Sequence, residues 1–298
     1  MKVLVTGAAG FLGGHVAECL LAAGHEVVVF DLVQDDRPHL RGARHIVGDL
    51  LDSSAIDAAC RGVDAICHLG GVGDVILAGR EPARAAAANV VGTSHVLTAA
   101  RTCGVSRLVY ASTWEVYGSP RYQPVDEDHP CEPDHPYSIT KHAGERLVLA
   151  ADRLEELPTV ALRLGTAYGD RMRPNAVFSR FIHAARRGEP IIIQGTGLQG
   201  RQFTHARDIA RGFLAAIGSN ARSLAINLVA DEMITIRDLA GMVAARFPTE
   251  VRFGEARVGD VHSARVDSGL AADVLGWRAE VPFATGLAEL MDGADADV

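Results

Sequence analysis

No stretch of the sequence approaches the roughly 18 consecutive apolar residues that cross a bilayer, although 48% of its 298 residues are hydrophobic. The apolar run in MKVLVTGAAG is too short for a signal peptide, so no membrane partner is expected and the cytoplasm is the expected compartment. Lysine and arginine form no runs, and 37 acidic residues against 29 basic leave a formal charge of −8. A chain of that balance has no stripe for a phosphate backbone, which excludes nucleic acid as an expected partner. The five cysteines (Cys19, Cys60, Cys67, Cys103, Cys131) are odd in number and lack C-x-x-C spacing, so neither a disulfide framework nor a zinc site is expected. Twelve histidines show no H-E-x-x-H spacing. No metal is expected, and His15, His68 and His142 read as packing or polar filler. Internal repeats and low-complexity linkers are absent too.

What is present is an alternation of short β-branched runs with alanine- and leucine-rich segments. The runs are VLVT (3–6), EVVVF (26–30), HIVG (45–48), DAICHL (64–69), RLVYAS (107–112) and TVALRL (159–164). Helical composition fills 11–23, 53–60, 84–103 and 138–152. Strand, helix, strand in that order predicts an α/β fold, a doubly wound parallel sheet of Rossmann type. After residue 165 the rhythm loosens: a helix near 175–187, the run PIIIQ at 190–194, glycines at 195–200 and a helix near 206–217 read as a smaller C-terminal lobe. The expected division is 1–165 with 200–229 as a dinucleotide-binding domain, and 166–199 with 230–298 as a substrate lobe. The acidic tail DGADADV is expected to fray.

Strand VLVT is followed by Gly7-Ala8-Ala9-Gly10-Phe11-Leu12-Gly13 and then by a helix. A turn this tight needs residues without a Cβ, so that backbone can approach a pyrophosphate resting on the free N–H groups of the helix N-terminus. Asp31 ends the second strand 18 residues after Gly13, where a carboxylate accepts from ribose hydroxyls. A 2′-phosphate there would meet like charge, and Leu32, Val33, Gln34 and Asp35 supply no basic partner, so NAD is favoured over NADP. Asp49 and Leu50, after the third strand, are placed to meet the adenine edge.

In HPYSITKHAGERL, Tyr137 and Lys141 stand four apart, which puts them on one helix face. A free phenol has a pKa about three units too high for a base at neutral pH, a deficit of roughly 4 kcal/mol. A lysine ammonium about 5 Å away supplies about 3 kcal/mol of that at an effective dielectric near 20. The pair suits proton removal from an alcohol whose carbon gives up hydride. Ser112 and Thr113 close the fifth strand at its C-terminal end, the edge where open α/β sheets bind ligands, so Thr113 is a candidate partner for the same hydroxyl.

GAAGFLG (7–13), Asp31, Asp49-Leu50, HLGG (68–71), Asn89, STWEVYG (112–118), YSITK (137–141) and RLGTAYG (163–169) together resemble the extended short-chain dehydrogenases, specifically the nucleotide-sugar epimerase/dehydratase family. The resemblance runs on through GRQFTHARDIA (200–210), Asn227 and RVGD (257–260) to LGW (275–277). It implies tightly held NAD, contacted by Gly7, Gly10, Phe11, Leu12, Gly13, Asp31, Asp49, Leu50, Leu69, Gly70, Asn89, Ser112, Tyr137 and Lys141. Thr113, Tyr137 and Lys141 would act on a sugar hydroxyl, and Thr166, Arg201 and Arg257 would grip a sugar nucleotide. Arginine suits that grip because its planar fork binds phosphate oxygens two at a time. The resemblance also implies a homodimer through the helices that carry Asn89 and Tyr137.

Members of such a family begin with oxidation, usually at C4, and differ in the fate of the resulting keto sugar. Dehydratases resembling this chain carry an Asp-Glu pair after the threonine, where this sequence has Trp114-Glu115, and an indole N–H is too weak an acid to expel a hydroxyl. Glu115 resembles the position of a C5 base in sugar-nucleotide decarboxylases and in some other dehydratases. Epimerisation through a 4-keto intermediate leads, because it needs the fewest residues beyond Thr113, Tyr137 and Lys141. Decarboxylation or dehydration using Glu115 stays open, as do a dehydrogenase or reductase of a non-sugar substrate and a non-catalytic dinucleotide sensor. Thr166 stands where relatives usually have asparagine and offers no amide donor, which points to a smaller or atypical substrate.

Overall fold

The computed structural model describes residues 1–35, 37–155, 157–255 and 263–293; Arg257 and the RVGD segment lie outside the described residues. The strands are β1 (Lys2–Thr6), β2 (Glu26–Asp31), β3 (Arg44–Val47), β4 (Ala65–His68), β5 (Arg107–Thr113), β6 (Thr159–Leu164), β7 (Thr166–Tyr168), β8 (Ile191–Gln194), β9 (Gly200–His205), β10 (Leu224–Leu228), β11 (Met233–Thr235) and β12 (Val251–Gly254). Seven form one parallel sheet in the order β10-β6-β5-β4-β1-β2-β3. The expected doubly wound α/β sheet is therefore present, with the six expected strands in it and β10 as a seventh.

Successive side chains of β1 feed opposite faces of the sheet. Val3 and Val5 join a core with Val16, Leu20 and Phe213, while Leu4 joins one with Val28, Ile66, Leu108 and Val148. A strand buried on both faces must be apolar at consecutive positions, which is why these runs are continuous rather than alternating. Helices Phe11–Ala22 and Ala206–Gly218 pack on the first face; Ser53–Cys60, Thr93–Thr102 and Pro136–Glu155 pack on the second. The segment expected as one helix over 84–103 is helical throughout, but Ala87–Gly92 is wound as a π-turn, and a further helix, Val75–Arg80, precedes it.

Beyond β6 the chain builds two small sheets, β11-β9-β7 and β12-β8. Aromatic residues are 5% of the sequence, yet Tyr168, Phe178, Phe181, Phe203 and Phe283 are buried in the same core here. Tyr168 stacks on Phe178 with centroids 5.1 Å apart, and Phe203 meets Phe178 edge-on at 4.8 Å. Large rings give this small lobe buried area that few residues could otherwise supply.

The chain runs outward from β1 to β2 and β3, then returns to lay β4 on the other side of β1. Loops leaving β1 and β4 therefore diverge at the carboxyl edge and leave a crevice, the position where open parallel sheets bind ligands.

Candidate active site at the sheet's switch point

That crevice is a cleft of about 920 Å³. Its β1 wall is the glycine turn. Gly7 has φ +74°, and a Cβ on it would lie 2.7 Å from the Gly70 backbone; one on Gly13 would lie 2.0 Å from the Gly7 carbonyl oxygen. Only glycine lets β1, the turn and the first helix approach this closely. The result is a bare backbone cradle at a helix N-terminus, whose residues fit a dinucleotide pyrophosphate. Asp31 lines the same cleft and braces the turn, accepting from Ala9 N–H at 3.0 Å and Leu32 N–H at 2.7 Å.

Gly7, Gly10, Phe11, Leu12, Gly13, Asp31, Asp49, Leu50, Leu69, Gly70 and Ser112 all line the cleft, together with Thr113, Glu115, Tyr137, Lys141 and Thr166. Asn89 does not reach its surface. Its buried amide accepts from Val72 N–H at 2.8 Å and donates to Val72 carbonyl at 3.1 Å and Thr140 Oγ1 at 3.0 Å, so it fastens the loop after β4 from beneath. Arg201 lines a small adjoining pocket that shares Trp114, Gly165 and Thr166 with the main cleft.

His68 is more than filler. Its Nδ1 lies 2.7 Å from Thr6 Oγ1 and its Nε2 3.0 Å from Thr93 Oγ1, and Thr6 Oγ1 in turn accepts from Gly70 N–H at 3.1 Å. Burial, reinforced by Lys141, pushes this imidazole down to about 3, so it is a neutral link holding β1, β4 and the helix behind the cleft in register.

At the far end, Pro136 opens the helix that presents Tyr137 and Lys141. The Tyr137 phenol and the Thr113 hydroxyl line the cleft together, and Thr113 favours the ionised phenol. Thr113 also accepts from Glu115 N–H at 3.3 Å, so it caps the turn Trp114–Tyr117 while facing the cleft. Burial raises the phenol above its usual range, and the neighbouring Glu115 carboxylate adds to this; Thr113 and Arg173 oppose it. Lys141 lines the same cleft. Its ammonium sits 4.2 Å over the Tyr110 ring, and burial pushes it down to about 7 against the opposing pull of Glu145. In both Tyr137 and Lys141 desolvation is the largest influence and favours the neutral form.

Glu115 is pushed up to about 7, chiefly by burial and then by Asp134, with Arg201 pulling the other way. Behind the cleft lies a charged pair. Ser112 Oγ donates to Glu145 Oε2 at 2.6 Å, and Arg163 donates to both Glu145 oxygens at 2.7 and 3.2 Å and to the Tyr117 hydroxyl at 2.8 Å. Tyr117 continues to Asn227 Oδ1 at 2.7 Å. Burial alone would raise Glu145; nearby His142, 3.7 Å away, and hydrogen bonds from Arg163 and Ser112 bring it down to about 2. Cys131 and His142 lie near the same carboxylate, with ligand-type atoms within 4.8 Å of one another, but Arg163 occupies both of its oxygens.

Among the cleft residues that escaped sequence reasoning are Arg173 and Asp74. Arg173 lines the mouth and pairs with Asp74, which caps the helix Val75–Arg80 by accepting Leu77 N–H at 2.9 Å. The pair bridges loops 99 positions apart, and no local spacing announces it. Near Asp31, the basic residue missing from 32–35 is supplied by Arg37, whose Nη2 donates to the Ala9 carbonyl at 2.8 Å.

The family model described as the NAD dependent epimerase/dehydratase family matches residues 3–228. A UDP-glucose 4-epimerase of Mycolicibacterium smegmatis is 32% identical over 308 residues, covering 98% of each chain. A UDP-glucuronic acid decarboxylase 1 of Danio rerio is 32% identical over 96% of this chain and 71% of its own. Among solved structures, MoeE5 in complex with UDP-glucuronic acid and NAD superposes with a TM-score of 0.92 at 34% identity over 100% of both chains.

Proposed function

Because the chain belongs to the NAD-dependent epimerase/dehydratase family and is an enzyme of that chemistry, we propose that it is a nucleotide-sugar 4-epimerase, working through a 4-keto sugar with NAD retained between turnovers. The observation that supports this reading best is the meeting of Thr113, Tyr137 and Lys141 on one cleft wall beside an indole, Trp114, that offers no acid for an elimination. Bound NAD supplies the hydride acceptor. Tyr137 takes the proton of the C4 hydroxyl, Thr113 orients that hydroxyl, and Lys141 contributes positive charge behind the phenol. The glycine turn, Asp31, Asp49 and Leu50 hold the dinucleotide, while Thr166 and Arg201 meet the nucleotide sugar; UDP is the carrier in the relatives named above. In this reading residues 1–165 with 200–229 form the dinucleotide half, and 166–199 with 230–298 the substrate half.

A second reading rests on Glu115 alone. A recessed carboxyl pushed up to about 7 beside Tyr137 is suited to proton transfer at C5, which a decarboxylase or dehydratase needs. Incubation with UDP-, GDP-, dTDP- and CDP-sugars separates the outcomes: epimerisation leaves the mass unchanged, loss of about 44 mass units marks decarboxylation, and loss of about 18 marks dehydration. Epimerisation is refuted if the only products are lighter than their substrates.

The same reading places a cytoplasmic homodimer at the helix pair that carries Val91, Ile139 and Leu147, which are 46, 48 and 37% exposed. Sedimentation is expected to give the dimer mass at micromolar concentration; monomer alone would refute it.

A further inference from the structure

The Ala9 peptide, midway through the glycine turn, is clamped from both sides. Its N–H donates to Asp31 Oδ2 at 3.0 Å, and its carbonyl accepts from Arg37 Nη2 at 2.8 Å. Arg37 is itself gripped by Asp35: its Nε donates to Oδ1 at 2.7 Å, its Nη2 pairs with Oδ2, and its backbone N–H donates to Oδ1 at 3.1 Å. Asp35 is 7% exposed, while the Arg37 side chain is 44% exposed. Ala9 and Asp31 line the cleft, and Asp35 and Arg37 do not. The guanidinium therefore stands just behind the ribose end of the cleft, with its charge turned onto a nearly buried carboxylate.

Resting on the dinucleotide reading of the cleft, we propose that Asp35 masks Arg37, so that Asp31 and Asp35 together set the preference for NAD over NADP. A 2′-phosphate needs two things at the ribose: no facing carboxylate, and a cation to accept it. Asp31 denies the first. Arg37 is positioned to satisfy the second, but it is committed to two carboxylate oxygens and a carbonyl, and a forked guanidinium–carboxylate pair is among the stronger polar contacts a protein makes. The Arg37 hydrogen bond holds the Asp35 carboxyl below its usual range, so the mask is fully charged at neutral pH. Arg37 is at the same time a positioning residue, since its bond to the Ala9 carbonyl fixes the turn that must approach the pyrophosphate.

The test compares wild type with Asp31→Ser, Asp31→Ser/Asp35→Asn and both backgrounds carrying Arg37→Ala. Each is equilibrated with an excess of NAD and NADP in equal amounts, and the bound dinucleotides are released by denaturation and identified by mass. The double variant is expected to bind NADP relative to NAD about tenfold better than Asp31→Ser alone, the gain typical of one new contact to a charged group. Adding Arg37→Ala should abolish that gain. In the Asp31→Ser background, where the mask is intact, Arg37→Ala should leave the ratio unchanged, and this arm needs no Asp35 variant to fold. A double variant no different from Asp31→Ser, or a gain that survives loss of Arg37, overturns the proposal. Wild type that retains neither dinucleotide overturns the cleft reading instead.

Discussion

Tyr137 and Lys141 carry opposite consequences of one cause, the low dielectric of the cleft wall. Replacing Tyr137 with phenylalanine removes the proton acceptor proposed above and keeps the ring's packing against Val72, Ala78 and Ala85. Turnover should fall by about 10²- to 10⁴-fold, the usual worth of a positioned acid or base, while the NAD content of the purified protein stays at the wild-type level; full activity would end the mechanism. Of the 29 basic residues only Lys2 and Lys141 are lysines. An amine can lose its proton within reach of neutral pH and a guanidinium cannot, so the residue type at 141 is informative in a chain that uses arginine elsewhere. Stability should follow pH accordingly. Folded Glu115 keeps its proton to about 7 against an ordinary 4.5, so the folded chain binds more protons across that window and stability falls as pH rises through it. Folded Lys141 titrates near about 7 against an ordinary 10.5, so the unfolded chain binds more protons there and stability rises over that range. Urea midpoints measured against pH in NAD-free protein should show a shallower fall in Glu115→Gln and a shallower rise in Lys141→Met; slopes identical to wild type would mean that neither group is desolvated.

At the level of elements, the glycine turn and the helix Ile236–Arg246 make opposite predictions for the same substitution. Gly13→Ala drives a methyl to 2.0 Å from the Gly7 carbonyl oxygen, so the turn must open; NAD is expected to be lost and the melting temperature to drop. Gly241 sits in a helix with nothing within 4 Å of its missing Cβ, and alanine there should stabilise by about 0.5–1 kcal/mol in chemical denaturation. These elements were also unequally legible. Five of the six readable sheet strands are buried on both faces and leave continuous apolar runs, while β3, at the sheet's edge, was readable from its short HIV run although it is only half-buried. Three-residue strands such as β7 and β11 have no such run, and GRQFTH of β9 reads as polar although five of its six residues are buried. The residues lining the cofactor end were legible because they cluster at the carboxyl ends of β1 to β4 and in the loops that follow. Asn89 lies beneath the cleft lining, bonded to Val72 and Thr140; a motif gives a position along a helix but not which way the amide is spent. Arg173, Asp74 and the Asp35–Arg37 pair were invisible because their meaning lies in contacts across loops, which no periodicity encodes.

For the molecule as a whole, the sheet order matters as much as its composition. β10 closes the flank of β6 only after the chain has left the sheet at residue 164, built β7, β8 and β9 elsewhere, and come back along the helix Ala206–Gly218. The family match ends at residue 228, the last residue of β10. While the chain is being synthesised, then, the outer rim of a strand that ends up wholly buried has no neighbour until some sixty residues after its own completion, and a nascent polypeptide in that interval offers an adhesive ribbon to any other extended segment. Termination at residue 222 should freeze that interval and yield insoluble material on expression, whereas termination at residue 293 should not; a dispersed, monomeric 1–222 fragment would show that some other segment shields the rim. Nonsense or frameshift lesions between these two points would accordingly harm a cell by clumping as well as by missing catalysis.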